Sequence, residues 1–224
     1  MTEQIPAQRL IVLGRNSKVW ASLKESPLLA DIPIVAIGHA ELSDFTFSPG
    51  DKVWVFSYSR SVNENRLLLE ILARQQNISV IYISSASTNV TGHTRCYNYP
   101  AVKQQAQEDA VRLCAARIVN IGWFYADAAE LPAGCTAATS VDALAMAMRS
   151  ADAVPSQIVN LFHMVDRPFG SQFEKTLYLL YGVLLKGSGR YPCLLRPVDL
   201  VLRMLGMRWY GYLYLSNGLW FTTI

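Results

Sequence analysis

The sequence predicts an α/β fold built on a doubly wound parallel sheet. Short runs rich in β-branched residues alternate with helix-compatible segments along most of the chain. The runs are apolar at successive positions, as in strands that are buried on both faces. Several of them end in glycine or serine, which is typical of the carboxyl ends of strands in such sheets. Alternation of this kind indicates a sheet covered by helices on both sides.

The first three predicted elements form one β-α-β unit. "RLIVLG" at residues 9–14 and "IPIVAIG" at residues 32–38 are short β-branched runs, each closed by glycine. Between them, "SKVWASLKESPLL" at residues 17–29 is compatible with a helix. Two parallel strands need a crossover of this kind to run in the same direction.

The next elements continue the alternation. We expect a strand at residues 51–59 and a helix at residues 63–76, in which Leu67, Ile71 and Arg74 recur at helical spacing. "SVIYISS" at residues 79–85 predicts a fourth strand. A helix over residues 99–116 and a strand over residues 117–125, "RIVNIGWFY", follow it.

Length and composition bound the function classes. The 224 residues are enough for one compact unit, which we divide into a core at residues 1–150 and a reduced C-terminal lobe at residues 151–224. The net charge of +3 and the absence of any Lys/Arg run argue against nucleic-acid binding. The four cysteines are scattered without metal-ligand spacing, so we expect reduced thiols and no metal site.

The two ends of the chain bear on location. The first residues are polar and lead directly into a strand, so we expect no export signal and a cytoplasmic protein. The C-terminal segment is aromatic and alternates at Tyr210, Tyr212 and Tyr214, which suggests a strand. One interpretation makes it a core or homodimer contact. The other makes it a peripheral membrane contact, because Trp and Tyr favour the membrane interface.

A set of groups suited to acid–base chemistry follows the fourth strand. That strand ends at a cluster of hydroxyl residues, with Ser85 and Ser87 as the two candidates, and Tyr99 and Lys103 open the next helix. A spacing of four places these two side chains on one helix face. A phenol of pKa about 10 acts near neutral pH only when a nearby cation stabilises the phenolate. The pattern therefore predicts a reaction centre.

The order of these elements, with the strand-end serine and Tyr99-x-x-x-Lys103, resembles the extended short-chain dehydrogenases/reductases, which are NAD-dependent epimerases and dehydratases. The resemblance implies a Rossmann-like fold with a reduced substrate lobe. It also implies that Tyr99 is the general acid/base. Lys103 would lower the pKa of that tyrosine and hold the nicotinamide ribose, and Ser87 or Ser85 would hydrogen-bond the reacting oxygen.

The resemblance extends downstream but departs at the first turn. "TSVDALAMAM" at residues 139–148 is similar to a helix start of the family, through Val141 and Asp142. At the turn after the first strand the family has Gly-x-x-Gly-x-x-Gly, whereas this chain has Gly14, Ser17 and Trp20. Tryptophan stands where a glycine would let the helix pack closely on the strand.

The implied cofactor is NAD or NADP. The second strand ends at Gly38-His39 without the acid that binds a ribose diol, Glu41 and Asp44 being the nearest, so NADP is slightly favoured. Arg15 or His39 would then lie near the 2′-phosphate. The residues expected to contact the cofactor are Gly14, Arg15, Asn16, Ser17, His39, Ser57 and Lys103.

Two functions follow from these patterns. The first is an epimerase, dehydratase or reductase that acts on a nucleotide-linked or lipid-linked sugar in bacterial surface polysaccharide biosynthesis. The second is a catalytically inactive protein that keeps the Rossmann frame as a binding or scaffold module. Ser17 and Trp20 favour the second, and the Tyr99/Lys103 pair favours the first.

Overall fold

The computed structural model describes residues 9–93, 98–150 and 158–188, together with Pro197 and Met204. The strands are β1 Leu10–Leu13, β2 Ile34–Ile37, β3 Lys52–Val55, β4 Ser79–Ser85, β5 Arg117–Ile121, β6 Trp123–Tyr125, β7 Gly134–Ser140, β8 Ile158–Asn160 and β9 His163–Arg167. The α-helices are α1 Lys18–Leu23, α2 Val62–Ala73, α3 Asn98–Cys114, α4 Val141–Arg149 and α5 Gln172–Ser188. Short 3-10 helices cover Pro27–Leu29, His39–Glu41, Ala86–His93 and Ala128–Glu130.

The main sheet has six strands in the order β2-β1-β3-β4-β5-β8. β1 lies between β2 and β3, so the strand order reverses at this strand. It pairs in parallel with both neighbours, and Leu10 is opposite Ile34 on one side and Lys52 on the other. β3 pairs in parallel with β4. This Rossmann-like order confirms the predicted α/β fold. It also means that the carboxyl ends of β1, β2 and β3 reach one edge of the sheet, where ligands bind in such folds.

The core of the main sheet is formed by side chains that are almost completely buried. Ile11, Val53 and Leu69 have no exposed surface, and Tyr82 is 1% exposed. The cluster joins Ile11, Leu13, Ile37, Leu42, Val53, Val55, Leu68, Leu69, Leu72, Val80, Tyr82, Ala106, Ala110, Ala116 and Ile118. The β-branched and leucine-rich runs thus form strands and helices because their burial removes apolar surface from water.

The predicted single strand over residues 117–125 is wrong: it is two strands in two sheets. β5 belongs to the main sheet, and β6 belongs to a three-stranded sheet of order β6-β7-β9. Gly122 separates them, and a Cβ atom there would lie 2.3 Å from the carbonyl oxygen of Ala137. Only glycine allows so close a backbone approach, and the chain changes sheets at that point.

The small sheet also contains two strands that the sequence patterns did not predict. β7 pairs in parallel with β6 and antiparallel with β9. The β7 sequence "GCTAATS" is made of small residues and has no apolar alternation to indicate a strand.

The predicted helix at residues 17–29 is shorter than expected. α1 ends at Leu23, and the 3-10 turn Pro27–Leu29 follows it. Proline forces the residue before it, Ser26, into an extended conformation, which ends the helix before that point. α1 therefore contributes only six residues to the unit.

The chain folds into two compact units. The first comprises the described residues of 1–84, 105–119 and 141–159, and the second those of 85–104, 120–140 and 160–224. The predicted boundary at residue 150 stays a prediction. In the described part of the chain, no helix is long and apolar enough to cross a bilayer. The aromatic alternation predicted at Tyr210–Tyr214 lies outside the described residues.

Candidate functional site

The two candidate serines form a hydrogen-bonded pair directly after β4. The Ser87 hydroxyl donates to Ser85 Oγ at 2.9 Å, and the Ser87 backbone N–H donates to the same oxygen at 3.2 Å. Ser87 is 4% exposed, whereas Ser85 is half-buried. Because Ser85 Oγ accepts both bonds, its own proton is available to donate elsewhere. Ser85 is thus the better placed serine to bind a substrate oxygen, and Ser87 fixes its orientation.

Tyr99 and Lys103 lie one turn apart on α3, as predicted. α3 begins at Asn98 with Pro100 in its first turn, where a missing N–H costs no helical hydrogen bond. Lys103, Ala106 and Ala110 recur at helical spacing and are all buried, which identifies the inward face of the helix. Tyr99 is 42% exposed at the amino-terminal end of that face. The phenol is therefore accessible while the lysine is withdrawn from solvent.

Burial changes the chemistry of Lys103. The side chain is 6% exposed, and desolvation lowers the pKa of its ammonium group from 10.5 to about 7. A lysine of this kind exchanges its proton near neutral pH, unlike a surface lysine. It can therefore take part in proton transfer with a neighbouring phenol as well as stabilise a phenolate.

Gly14 ends β1 in a backbone conformation that favours glycine. Its φ is +114°, and a Cβ atom there would lie 2.7 Å from the backbone nitrogen of Ser57. The backbone N–H groups of Gly14 and Arg15 both donate to the Ile37 carbonyl oxygen, at 3.0 and 3.1 Å. Gly14 thus allows the ends of β1, β2 and β3 to lie close together, and the contacts that it makes in this structure are with the protein itself.

Ser17 and Trp20 make the turn after β1 unlike that of the family. Ser17 is the N-cap of α1, and its Oγ accepts a hydrogen bond from the Trp20 backbone N–H at 3.0 Å. The Trp20 side chain is 6% exposed, and its ring centroid lies 6.3 Å from that of Phe56. The indole therefore turns into the core and lies between α1 and the end of β3.

Arg15 and Glu41 form an ion pair at the ends of β1 and β2. Arg15 Nη2 lies 2.7 Å from Glu41 Oε1, and Glu41 Oε2 accepts a hydrogen bond from the Gly38 N–H at 2.9 Å. Both hydrogen bonds, that from Gly38 first and that from Arg15 second, lower the pKa of the Glu41 carboxyl. Glu41 is the partner that sequence reasoning did not assign to Arg15, since 26 residues separate the two and no local pattern joins them.

The remaining predicted cofactor contacts lie at the same strand ends. Ser57 Oγ is 3.4 Å from His39 Nδ1, and both groups are exposed to solvent to some degree. Asn16 is exposed in the turn between β1 and α1. The structure thus brings Gly14, Arg15, Asn16, Ser17, His39 and Ser57 together within the first unit. Ser85, Ser87, Tyr99 and Lys103 all belong to the second.

One buried amide, Asn120, was not identified as part of a site from the sequence. Asn120 is 2% exposed near the end of β5, and its Nδ2 donates to Asn160 Oδ1 at the end of β8, at 2.9 Å. The one signal in the sequence is an asparagine within the apolar run "RIVNI", since a buried amide needs hydrogen-bond partners. The pair adds polar groups to the second unit, the unit that holds the acid–base set.

The turn after β1 does not fit the pyrophosphate of a dinucleotide in the way that three glycines do. The Trp20 N–H already donates to Ser17, and the indole occupies the space that a close helix–strand contact requires. Arg15 and Glu41 neutralise each other beside this turn. The strand ends could still hold a nucleoside, through the exposed groups of His39 and Ser57.

The fold has close parallels among solved structures, although no family model and no curated protein sequence matches the chain. One is dTDP-4-dehydrorhamnose reductase from Bacillus anthracis in complex with NADP, with a TM-score of 0.55 and 14% identity over 78% of this chain and 81% of that one. Another is UDP-glucose 4-epimerase from Thermotoga maritima with UDP-glucose, with a TM-score of 0.52 and 10% identity over 70% and 78%.

A third parallel is an NAD-dependent NDP-hexosamine 5,6-dehydratase involved in tunicamycin biosynthesis. Its TM-score is 0.52, with 11% identity over 70% of this chain and 77% of that chain. At these identities the likeness concerns the fold. These structural neighbours are enzymes that act on nucleotide-linked sugars, and this chain shares their fold.

Proposed function

We propose that this protein acts on a nucleotide-linked or lipid-linked sugar, as an epimerase, dehydratase or reductase of the short-chain dehydrogenase type, in bacterial surface polysaccharide biosynthesis. The observation that carries the proposal is the Ser85–Ser87 pair after β4, combined with an accessible Tyr99 one helical turn from a buried Lys103. The sugar class is supported by what the structural neighbours named above act on.

In this mechanism Tyr99 exchanges a proton with the reacting hydroxyl or keto oxygen of the sugar. The protonated form of Lys103 stabilises the phenolate that results, because an adjacent cation lowers the pKa of a phenol. Ser85 donates a hydrogen bond to the reacting oxygen, and Ser87 keeps Ser85 in place through its hydroxyl and its N–H. Groups fixed in this way stabilise charge without reorganising during the reaction.

The cofactor expected for this chemistry is NAD or NADP, which would supply hydride exchange when bound. Arg15 and His39 at the ends of β1 and β2 support the phosphorylated form, provided that Arg15 leaves Glu41. Gly14, Asn16, Ser17 and Ser57 would line the same edge. Cofactor binding stays a prediction, because the β1–α1 turn departs from the glycine pattern of the family.

The test of the proposal is the Tyr99→Phe variant, compared with the native protein on nucleotide-sugar substrates. We expect turnover to fall by about 100-fold or more, the usual contribution of a general acid/base. Tyr99 is 42% exposed, so the variant should fold normally, and its far-UV spectrum and melting temperature provide that control. Full turnover in Tyr99→Phe would exclude the mechanism.

A second candidate function is a catalytically inactive binding or scaffold module. The observation that favours it is the capped and filled β1–α1 turn, in which Ser17 bonds Trp20 and the indole packs on Phe56. A nucleotide sugar that raised the melting temperature without being converted, under conditions in which Tyr99→Phe behaved like the native protein, would support the module.

A further inference from the structure

At the turn after β1, two of the predicted cofactor contacts, Arg15 and Ser17, bind groups of the protein itself. The Ser17 hydroxyl caps the Trp20 N–H at 3.0 Å, the Arg15 guanidinium lies 2.7 Å from Glu41, and Glu41 also binds the Gly38 N–H at 2.9 Å. A pyrophosphate would need these donors for itself. A pyrophosphate bound there would break the Arg15–Glu41 ion pair and would compete with the Ser17 and Glu41 oxygens for the Trp20 and Gly38 N–H groups.

The space between α1 and the end of β3 is also occupied. Trp20 is 6% exposed and packs on Phe56, which itself is 7% exposed and stacks on Trp54 at a ring-centroid distance of 6.4 Å. Removing the indole from this aromatic row would leave a cavity in the first unit. α1 cannot compensate, because its six residues are shorter than two turns and provide little aligned dipole for a diphosphate.

The residues proposed for acid–base chemistry, by contrast, make none of these contacts and all lie within the second unit. Ser85 is oriented by two bonds from Ser87, Tyr99 is accessible, and Lys103 is withdrawn from solvent. Proton transfer at carbon needs a base and a donor for the enolate oxygen, and it needs no hydride carrier. The part of the machinery that proton transfer requires is therefore present, while the part that hydride transfer requires is altered.

We propose that this protein catalyses proton transfer at the carbon beside a carbonyl that its sugar substrate already carries, without a bound dinucleotide. This deepens the proposed function and rests on it, because it uses the same residues, Tyr99, Lys103 and Ser85. Lys103 and Ser85 keep their roles, and Tyr99 exchanges a proton with carbon instead of oxygen. It assigns the substrate to the class of keto sugars. An oxidation or dehydration by another enzyme must then precede this step, because a sugar with hydroxyl groups alone has no carbon acidic enough.

The chemical step is balanced without an oxidant. The Tyr99 phenolate oxygen takes the proton from the carbon beside the carbonyl, and the C–H electron pair forms the carbon–carbon double bond. The carbonyl π electrons move to its oxygen, giving an enolate that accepts a hydrogen bond from Ser85. When the phenol exchanges its proton with solvent and then returns one to the same face, the carbon exchanges its hydrogen with solvent. When water delivers a proton to the opposite face and Tyr99 loses its proton to solvent, the product is the epimer.

The experiment is proton NMR in D2O with the full chain freed of nucleotides. The probes are the 4-keto-6-deoxyhexoses of dTDP, UDP and GDP. We expect hydrogen at C3 or C5 of at least one probe to exchange well above the protein-free rate, at the same rate with and without added NAD or NADP. Tyr99→Phe should lose about 100-fold of that exchange. Tyr125→Phe, a tyrosine of β6 outside the acid–base set, should retain it.

Dinucleotide binding is measured in parallel by tryptophan fluorescence and by the melting temperature. We expect no change with either dinucleotide, oxidised or reduced, at millimolar concentration. Micromolar binding, exchange that depends on added dinucleotide, or no exchange with any of the three probes would overturn the inference. Turnover that requires a dinucleotide and is lost in Tyr99→Phe would overturn the inference and leave the proposed function standing. Native turnover or exchange in Tyr99→Phe would remove the proposed function itself.

Discussion

The indole of Trp20 lies against the phenyl ring of Phe56, with ring centroids 6.3 Å apart and planes inclined by 44°. The contact joins α1 to the segment that follows β3, and both residues are buried. In the glycine pattern that the sequence departs from, a glycine at the Trp20 position lets the helix approach the strand. Here the same position provides apolar volume, so the turn contributes to the core of the first unit.

Replacement of Trp20 by alanine should therefore destabilise the protein by about 3–5 kcal/mol, the usual cost of removing a large buried aromatic side chain. Trp20→Phe keeps a ring and should cost less. Leu67→Ala on α2 is the control, because Leu67 is 59% exposed and its truncation should change stability by less than about 0.5 kcal/mol. Urea unfolding measures all three. A native-like stability in Trp20→Ala would contradict the packing role.

Gly14→Ala should destabilise the protein far more than Gly50→Ala. Both glycines have positive φ, +114° and +89°, and both substitutions therefore carry backbone strain on the order of 1–3 kcal/mol. The new Cβ at Gly14 would also lie 2.7 Å from Ser57 N, whereas that at Gly50 would meet nothing within 4 Å. The difference in unfolding free energy between the two variants isolates the collision. Equal losses would show that the ends of β1 and β3 separate easily.

The main sheet could be predicted because its strands are chemically unambiguous. β4 spans residues 79–85 as expected, since four successive residues, "VIYI", favour a strand and serines stand on both sides of them. β7 could not be predicted, because "GCTAATS" obtains its strand conformation from pairing with β6 and β9. The break at Gly122 is of the same kind, since it depends on a carbonyl group 15 residues later.

Only those parts of the site whose residues are close in the sequence could be predicted. Tyr99 and Lys103 lie on one helix, and Ser85 and Ser87 lie at one strand end, so their neighbourhoods follow from the chain itself. The ion pair of Arg15 with Glu41 and the packing of Trp20 on Phe56 join distant segments. Such contacts depend on how segments far apart in the sequence pack together, which no local pattern encodes.

Asp51→Ala should cost on the order of 3 kcal/mol, because it removes the buried member of a polar cluster. The Asp51 side chain is 2% exposed and binds Arg9 through both oxygens, at 3.0 and 2.6 Å, and the Ser48 N–H at 2.7 Å. Asp31→Ala is the matched control. Its carboxylate also binds an arginine twice, Arg149 at 2.6 Å, but it is 61% exposed and the loss should be much smaller.

Asp51 should also make the stability of the protein fall at low pH. Desolvation raises the pKa of Asp51, but the hydrogen bonds from Arg9 and Ser48 outweigh it and leave that pKa below 3.8. A carboxyl group whose folded pKa is lowered stabilises the protein above its unfolded pKa, and this contribution is lost as the pH falls through the folded value. The native protein should therefore lose more stability than Asp51→Ala as the pH falls from 5 to 2. Parallel curves of unfolding free energy against pH would contradict this.

Lys103→Met should stabilise the protein at neutral and acidic pH. Desolvation lowers the pKa of Lys103 from 10.5 to about 7. Below pH 10.5 the unfolded chain therefore binds a proton at Lys103 more tightly than the folded protein does, and this difference reduces the free energy of unfolding. The stability associated with neutral Lys103 is fully present above pH 10.5 and is lost as the pH falls through 7. The advantage of Lys103→Met should therefore be largest at and below pH 7 and shrink towards pH 10.

Urea unfolding at pH 6 to 10 measures this difference in stability, with Lys18→Met, at an exposed lysine, as the control. An advantage that did not vary with pH would mean that Lys103 is charged in the folded protein, and then the amine would serve Tyr99 only as a fixed cation.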